Sequence, residues 1–192
     1  MDAKTSVWLD GAKAHLDEAV TLRRRIHQYP ELGLDLPLTT AAVRETLDGL
    51  DVTIEHGKSS SGLMVTLKGP TQGRTVLLRG DMDALPMPED TGLPFSSKHD
   101  GAMHACGHDS HTAMLAMAVK LLHANRDRLA GTVKFMFQPG EEGHFGAKKM
   151  IEDGLLDLLP KADGAFALHI TPNAPSGVLT ARSGPFMAST DT

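Results

Sequence analysis

The sequence predicts an α/β protein with three layers, α/β/α, around a central, mainly parallel mixed sheet. Three observations predict it. Short apolar and β-branched runs alternate with segments of helical periodicity, the pattern of strand–helix–strand crossovers. The 192 residues suit one domain to one and a half, long enough to bury a core. The composition, 41% hydrophobic and 22% charged, is that of an ordinary globular protein.

The elements follow in order. Leu9, Leu16, Ala19, Val20 and Leu22 recur at helical spacing over 7–29, and Pro30 stops that pattern. A second helix is predicted over 38–50. Strands are predicted at 51–56 (DVTIEH), 62–69 (GLMVTLKG) and 75–82 (TVLLRGDM). The stretch 84–107 is rich in Pro, Gly and Ser; an irregular segment that long inside a compact domain is usually functional. A helix over 110–125, a strand at 132–138 and a helix over 145–156 come next. Strands at 164–170 (GAFALHI) and 177–184 (GVLTARSG) complete the reading.

Several classes of partner are excluded by composition. A net charge of −5 argues against nucleic acid, whose phosphates need clustered Lys and Arg. The run Arg23–Arg25 sits beside apolar Leu22 and Ile26 and reads as a solvated helix face. One cysteine forms no internal disulfide, so an oxidising compartment is not required. The N-terminus MDAKTSVWLDG has no basic region followed by an apolar stretch, and AMLAMAVKLL is too short for a bilayer and contains Lys120. No membrane partner and a cytoplasmic location are the resulting expectations.

The polar residues of interest fall at predicted strand ends or on loops within reach of them. Asp81 and Asp83 end one strand, Glu141 and Glu142 follow another, and His169 ends a third. Between them lies MHACGHDSHTAM, 103–114, with Cys106, His108 and Asp109. In open α/β sheets ligands bind at the carboxyl ends of the strands. Cys106 and His108 share one side of an extended chain but lie about 200° apart on a helix, so their convergence calls for an extended loop. Glu141 and Glu142, as neighbours in extended backbone, would diverge, one toward a metal and one toward water. Thiolate, imidazole and carboxylate together suit Zn²⁺ and tolerate Co²⁺, Ni²⁺ or Mn²⁺.

The blocks RGDMDALP, MHACGHDSHTAML, FQPGEEG, GAKKMIEDG and FALHI, with PELG at 30–33 and SGPFMAS at 183–189, resemble those of the dinuclear metallo-amidohydrolases. These are the N-acyl-amino-acid amidohydrolases, hippurate hydrolases and auxin-conjugate hydrolases, a branch of the aminoacylase/carboxypeptidase metallopeptidases. The resemblance implies a metallo-exopeptidase catalytic domain holding two divalent ions (Zn, Mn, Co or Ni). It implies Cys106, His108, Glu142 and His169 as metal ligands, with Cys106 bridging. Glu141 becomes the base that takes a proton from water, and Asp83 the acid that orients a metal-bound histidine. The implied substrate is a small N-acylated amino acid or peptide-like amide, and the implied full-length assembly a homodimer. It also implies that residues 1–192 are the N-terminal part of the catalytic domain, without the lid and dimerisation domain or the returning C-terminal segment that carries a further histidine. Short of that histidine and of the lid, this chain alone is expected to be inactive, and a sheet without its returning strands would expose an edge and an apolar face through which it is expected to self-associate.

Plainer readings stand beside these. A lone cysteine is most often a small buried hydrophobe. His104 and His111 read as local hydrogen-bonding residues, and His15, His27, His56, His99 and His123 as surface or helix-face residues. Met114 and Met117 read as core filler, and Asp81 and Asp109 are unassigned. Two alternatives stay open: Cys106 as a nucleophile with His108 or His169 as its base, and a catalytically silent metal-binding homologue or fragment. GKS at 57–59 lacks the first glycine of a phosphate loop, and neither H-E-x-x-H nor G-x-S-x-G occurs.

Overall fold

The computed structural model describes residues 3–185. Helices α1 (Ala3–Ala14), α2 (Leu16–Gln28) and α3 (Pro37–Thr46) precede strands β1 (Thr53–His56), β2 (Leu63–Lys68) and β3 (Thr71–Asp81). Helix α4 (His108–Ala124), strand β4 (Ala130–Gln138), helix α5 (Gly146–Glu152) and strand β5 (Gly164–Ala167) follow.

The strands form one mixed sheet in the order β1-β2-β4-β3-β5. β4 inserts between β2 and β3, pairing antiparallel with β2 and parallel with β3. β5 adds parallel to β3, and β1 antiparallel to β2. The predicted α/β architecture is therefore present, with its parallel character confined to β4, β3 and β5.

The central strands alternate their side chains between two apolar layers. Leu63, Val65 and Leu67 of β2, with Phe135 and Phe137 of β4, join Leu22, Ile26, Val43 and Val119 in one core beneath α2, α3 and α4. Met64 and Met136 point the other way, toward Leu77 and Met150 of α5. This two-sided burial makes LMVTL and VKFMF almost continuously apolar. Each fully buried phenylalanine contributes about 1.5–3 kcal/mol relative to exposure.

The strand predicted over 164–170 ends at Ala167 and the helix predicted over 145–156 ends at Glu152, and three further differences have clear causes or consequences. The N-terminal helical pattern breaks at His15, whose N–H bonds Ala12 O at 3.2 Å in a tight turn, so two helices pack where one long one was predicted. α3 stops at Thr46, ahead of a turn in which Gly49 has φ +74°. The predicted strand at 177–184 does not form; those residues are irregular and exposed. The SGPFMAS block continues past residue 185, outside the described residues.

Candidate metal centre

β3, β4 and β5 run parallel, so their carboxyl ends lie together, and the N-terminus of α4 meets them there. α4 begins at His108, and its N-cap Gly107 adopts the left-handed conformation, φ 91° and ψ 14°. That conformation favours glycine, and a Cβ there would also stand 2.5 Å from Ile170 Cδ1. The turn at Gly107, not an extended loop, brings Cys106 and His108 to one side. The thiol of Cys106 and the imidazoles of His108 and His169 offer atoms within 4.8 Å of one another.

His108 is buried and held by its Nδ1, which lies 2.8 Å from the backbone carbonyl of Asp83. A carbonyl only accepts, so Nδ1 carries the proton of the neutral ring and Nε2 presents its lone pair. Nε2 is buried without a hydrogen-bond partner, 3.5 Å from Asp81 Oδ2, 3.7 Å from Glu142 Oε1 and 3.9 Å from Glu141 Oε2. His169 repeats the arrangement. Its Nδ1 donates to the Ile170 carbonyl at 2.6 Å, and its Nε2 lies 3.5 Å from Cys106 Sγ. Two imidazoles thus aim their Nε2 atoms, that of His108 without a partner and that of His169 against the Cys106 sulfur, into a space edged by several carboxylates.

The glutamates do not diverge as extended neighbours would. Both reach His108, because the loop after β4 turns back on Asp83. The Asp83 carboxylate accepts the N–H of Glu141 at 2.8 Å and of Glu142 at 3.0 Å. It therefore braces the glutamate loop, while its main-chain oxygen, rather than its carboxylate, makes the close contact that orients His108. Burial opposes the charge on Asp83, but these N–H donors and His108 outweigh it and lower its pKa.

Charges tune the remaining groups. Burial pushes the Cys106 thiol up to about 12, helped by Glu142, Asp81 and Glu141. Burial and the charges of Glu142 and Asp81 also raise Glu141. Burial disfavours the charged form of His108, yet Asp83, Asp81 and Glu142 raise its pKa overall. The cluster is rich in negative charge and short of a cation. Its oxygen, nitrogen and sulfur donors suit a borderline divalent ion, so the residues fit such a group.

Residues 77–184 match the sequence profile of peptidase family M20/M25/M40. The chain belongs to this family. An N-acetyl-L-cysteine deacetylase of Bacillus subtilis is 42% identical over 174 residues, 91% of this chain and 41% of that protein. A thermostable carboxypeptidase of Saccharolobus solfataricus is 46% identical over 178 residues, 91% of this chain and 44% of that one. The crystal structure of the Bacillus subtilis YXEP protein, described as a dinuclear metal binding peptidase from the M20 family, superposes with a TM-score of 0.79 at 40% identity. The match covers 85% of this chain and 45% of that one. The chain thus spans less than half the length of the M20 relatives it matches.

Some residues of this M20 chain carry structure that sequence reasoning missed. Asp81 is buried; it accepts His111 Nδ1 at 2.6 Å and Arg79 Nη1 at 2.6 Å. Burial would raise its pKa, but the His111 hydrogen bond and the charges of His108 and Arg79 hold it down to about 2. Asp109 turns away from the centre. Its Oδ2 accepts His27 Nδ1 at 2.7 Å and lies 2.7 Å from Arg23 Nε, which pins α4 to α2. His27 is 3% exposed rather than a surface residue, and its Nε2 lies 3.2 Å from Glu89 Oε1. With acceptors on both nitrogens it is an imidazolium, and the Asp109 bond raises its pKa. His104 is buried with neither ring nitrogen hydrogen-bonded, and burial lowers its pKa to about 4. The signal for His27 was its place on the apolar side of α2, between Arg23 and Pro30. For Asp81, left unassigned by the sequence, no local signal marks a buried acid. No described helix is long and apolar enough to cross a membrane.

Proposed function

We propose that this chain carries the metal-binding half of a hydrolase that cleaves the amide bond of small N-acylated amino acids. The observation that supports it most is His108 Nε2, buried without a partner among three carboxylate oxygens. In this reading Cys106, His108, Glu142 and His169 hold two divalent ions. Bound there, the ions supply Lewis acidity and lower the pKa of water. Glu141, more exposed than Glu142 and raised by burial and neighbouring charge, takes a proton from water as its oxygen joins the acyl carbon. The same carboxyl then protonates the amine as the C–N bond breaks. Asp83 keeps both glutamates facing His108 through their backbone N–H groups. The deacetylase and carboxypeptidase among the relatives support an acylated amino acid or short peptide as substrate. A nucleophilic Cys106 is disfavoured, because that mechanism leaves Glu141 and Glu142, which both face His108, without a role.

Calorimetric titration of the metal-free chain with Zn²⁺ tests the reading. Binding is expected, accompanied by proton release from the thiol, and is expected to collapse in His108→Ala and Cys106→Ser. Glu141→Gln is expected to keep the metal; where turnover of an N-acetyl amino acid is measurable it drops by ~10²–10⁴-fold. Absence of Zn²⁺ binding, or binding untouched by His108→Ala, refutes the assignment.

A further inference from the structure

The assigned ligands do not explain how His169 is held. β5 is an edge strand whose four residues are all exposed, and its pairing with β3 ends at Ala167. Phe166 and Leu168 are 66% and 64% exposed, so little packing fixes the chain as it leaves the sheet. Beyond Ala167 the segment is tied back at Ile170, whose N–H donates to His111 Nε2 at 3.0 Å. His111 is itself buried on α4, with Nδ1 2.6 Å from Asp81 Oδ1.

We propose that His111 is a positioning residue for the metal centre, fixing His169 through the amide of Ile170 while Asp81 fixes His111. The hydrogen-bond polarity is determined by the partners. The Ile170 amide can only donate, so Nε2 of His111 is the acceptor and Nδ1 carries the proton given to Asp81. Both nitrogens of His111 are therefore occupied. That excludes it as a ligand, although Asp81, His108 and His111 offer atoms within 4.8 Å of one another. The rings of His111 and His169 meet edge to face at 4.5 Å, so a shift of one displaces the other. Ile170 also lays Cδ1 against Gly107, within 2.6 Å of where a Cβ would stand. The same residue thus couples the exposed strand end to the turn that presents Cys106 and His108. Partners one step behind a ligand typically change metal affinity by about 10–100-fold when removed.

The proposal rests on His169 being a ligand, and the test separates the two. Gln at position 111 can place an acceptor oxygen near the position of Nε2. Asn reaches only the position of Nδ1 and leaves Ile170 without an acceptor. In the metal-free 192-residue chain, amide hydrogen exchange at Ile170 is expected to accelerate in His111→Asn and to stay near wild type in His111→Gln. Nitrogen-15 imidazole spectra during Zn²⁺ titration then read His169 directly. Its Nε2 signal is expected to shift in the wild type and in His111→Gln, and to need about 10–100-fold more Zn²⁺ in His111→Asn. Cobalt substitution is expected to retain the thiolate charge-transfer band of Cys106 in all three. If Ile170 exchange is unchanged in His111→Asn, the positioning role is overturned whatever the metal does. If exchange accelerates but Zn²⁺ never shifts His169 even in the wild type, the tether stands, His169 is not a ligand, and the positioning role toward metal is overturned with it.

Discussion

His108 and His169 present the same atom, Nε2, to the same small space, yet the structure supports them differently. His108 is 1% exposed, begins a seventeen-residue helix and is gripped by the carbonyl of buried Asp83, just past the end of β3. His169 follows an exposed four-residue edge strand and depends on a single amide two atoms further along the backbone. One half of the candidate centre is part of the core. The other half is attached to it. Breaking the first should therefore cost stability and metal together, whereas breaking the second should cost metal alone.

The largest expected effect comes from Asp83. Its carboxylate is buried and accepts two backbone N–H groups from the glutamate loop. Hydrogen bonds to a charged group contribute about 1.5–3 kcal/mol each, and two on one carboxylate overlap in part. Asp83→Ala is expected to lower the unfolding free energy by about 3 kcal/mol in urea titrations and to weaken Zn²⁺ binding as Glu142 drifts from His108. A loss below about 1 kcal/mol, within reach of an ordinary surface change, would mean that the His108 half is not built into the core in this way.

A smaller effect, with a pH signature, comes from the clamp behind the same half. His27 donates to Asp109 and Glu89, and its pKa is raised above the ordinary value near 6.5. Because the folded pKa lies above the unfolded one, the contribution is complete below about pH 6.5 and is lost as pH rises through the folded value. His27→Gln is expected to cost about 2 kcal/mol at pH 6, the scale of a charge-assisted hydrogen bond. The gap from wild type should narrow steadily on the alkaline side. A gap that is constant from pH 6 to pH 9 would show that His27 is not charged in the folded protein.

The same division explains what was legible in the sequence. The strands of the buried half announce themselves, because LMVTL and VKFMF are apolar but for Thr66 and Lys134 and end in polar residues. The residues Cys106, His108, Glu141 and Glu142 could be placed near one another from the strand ends and the loop that leads into the long helix. How they converge could not. The convergence of Cys106 and His108 depends on Gly107 adopting φ 91°, and that of the glutamates on a loop turned back by Asp83, both tertiary choices rather than local periodicity. His111 was read as a local hydrogen-bonding residue because its partners, Asp81 and Ile170, are thirty and fifty-nine positions away. The predicted strand at 177–184 has apolar Val178, Leu179 and Ala181 but no partner strand among the described residues, and a short apolar run without a neighbour does not make a strand.

The smallest expected effect on stability is the sharpest test of the comparison. His169 is exposed, its Nδ1 bonds only the next residue's carbonyl, and its Nε2 contact with Cys106 is a weak one to sulfur at 3.5 Å. Replacing it removes one edge-to-face ring contact with His111 and leaves no buried group of its own unpartnered. His169→Ala is expected to change the unfolding free energy of the metal-free chain by no more than about 0.5 kcal/mol, as surface substitutions usually do. Its effect should emerge only when metal is added. Wild type gains stability from any ligand that binds the folded state alone, about 2.7 kcal/mol at a hundred times the dissociation constant. At the same Zn²⁺ concentration His169→Ala should gain clearly less, because one donor is gone and affinity falls. Urea titrations with and without Zn²⁺ measure both quantities on the same protein. If His169→Ala destabilises the metal-free chain as much as Asp83→Ala does, the edge strand belongs to the core after all. If instead the Zn²⁺-dependent gain equals that of the wild type, the two halves do not share one centre.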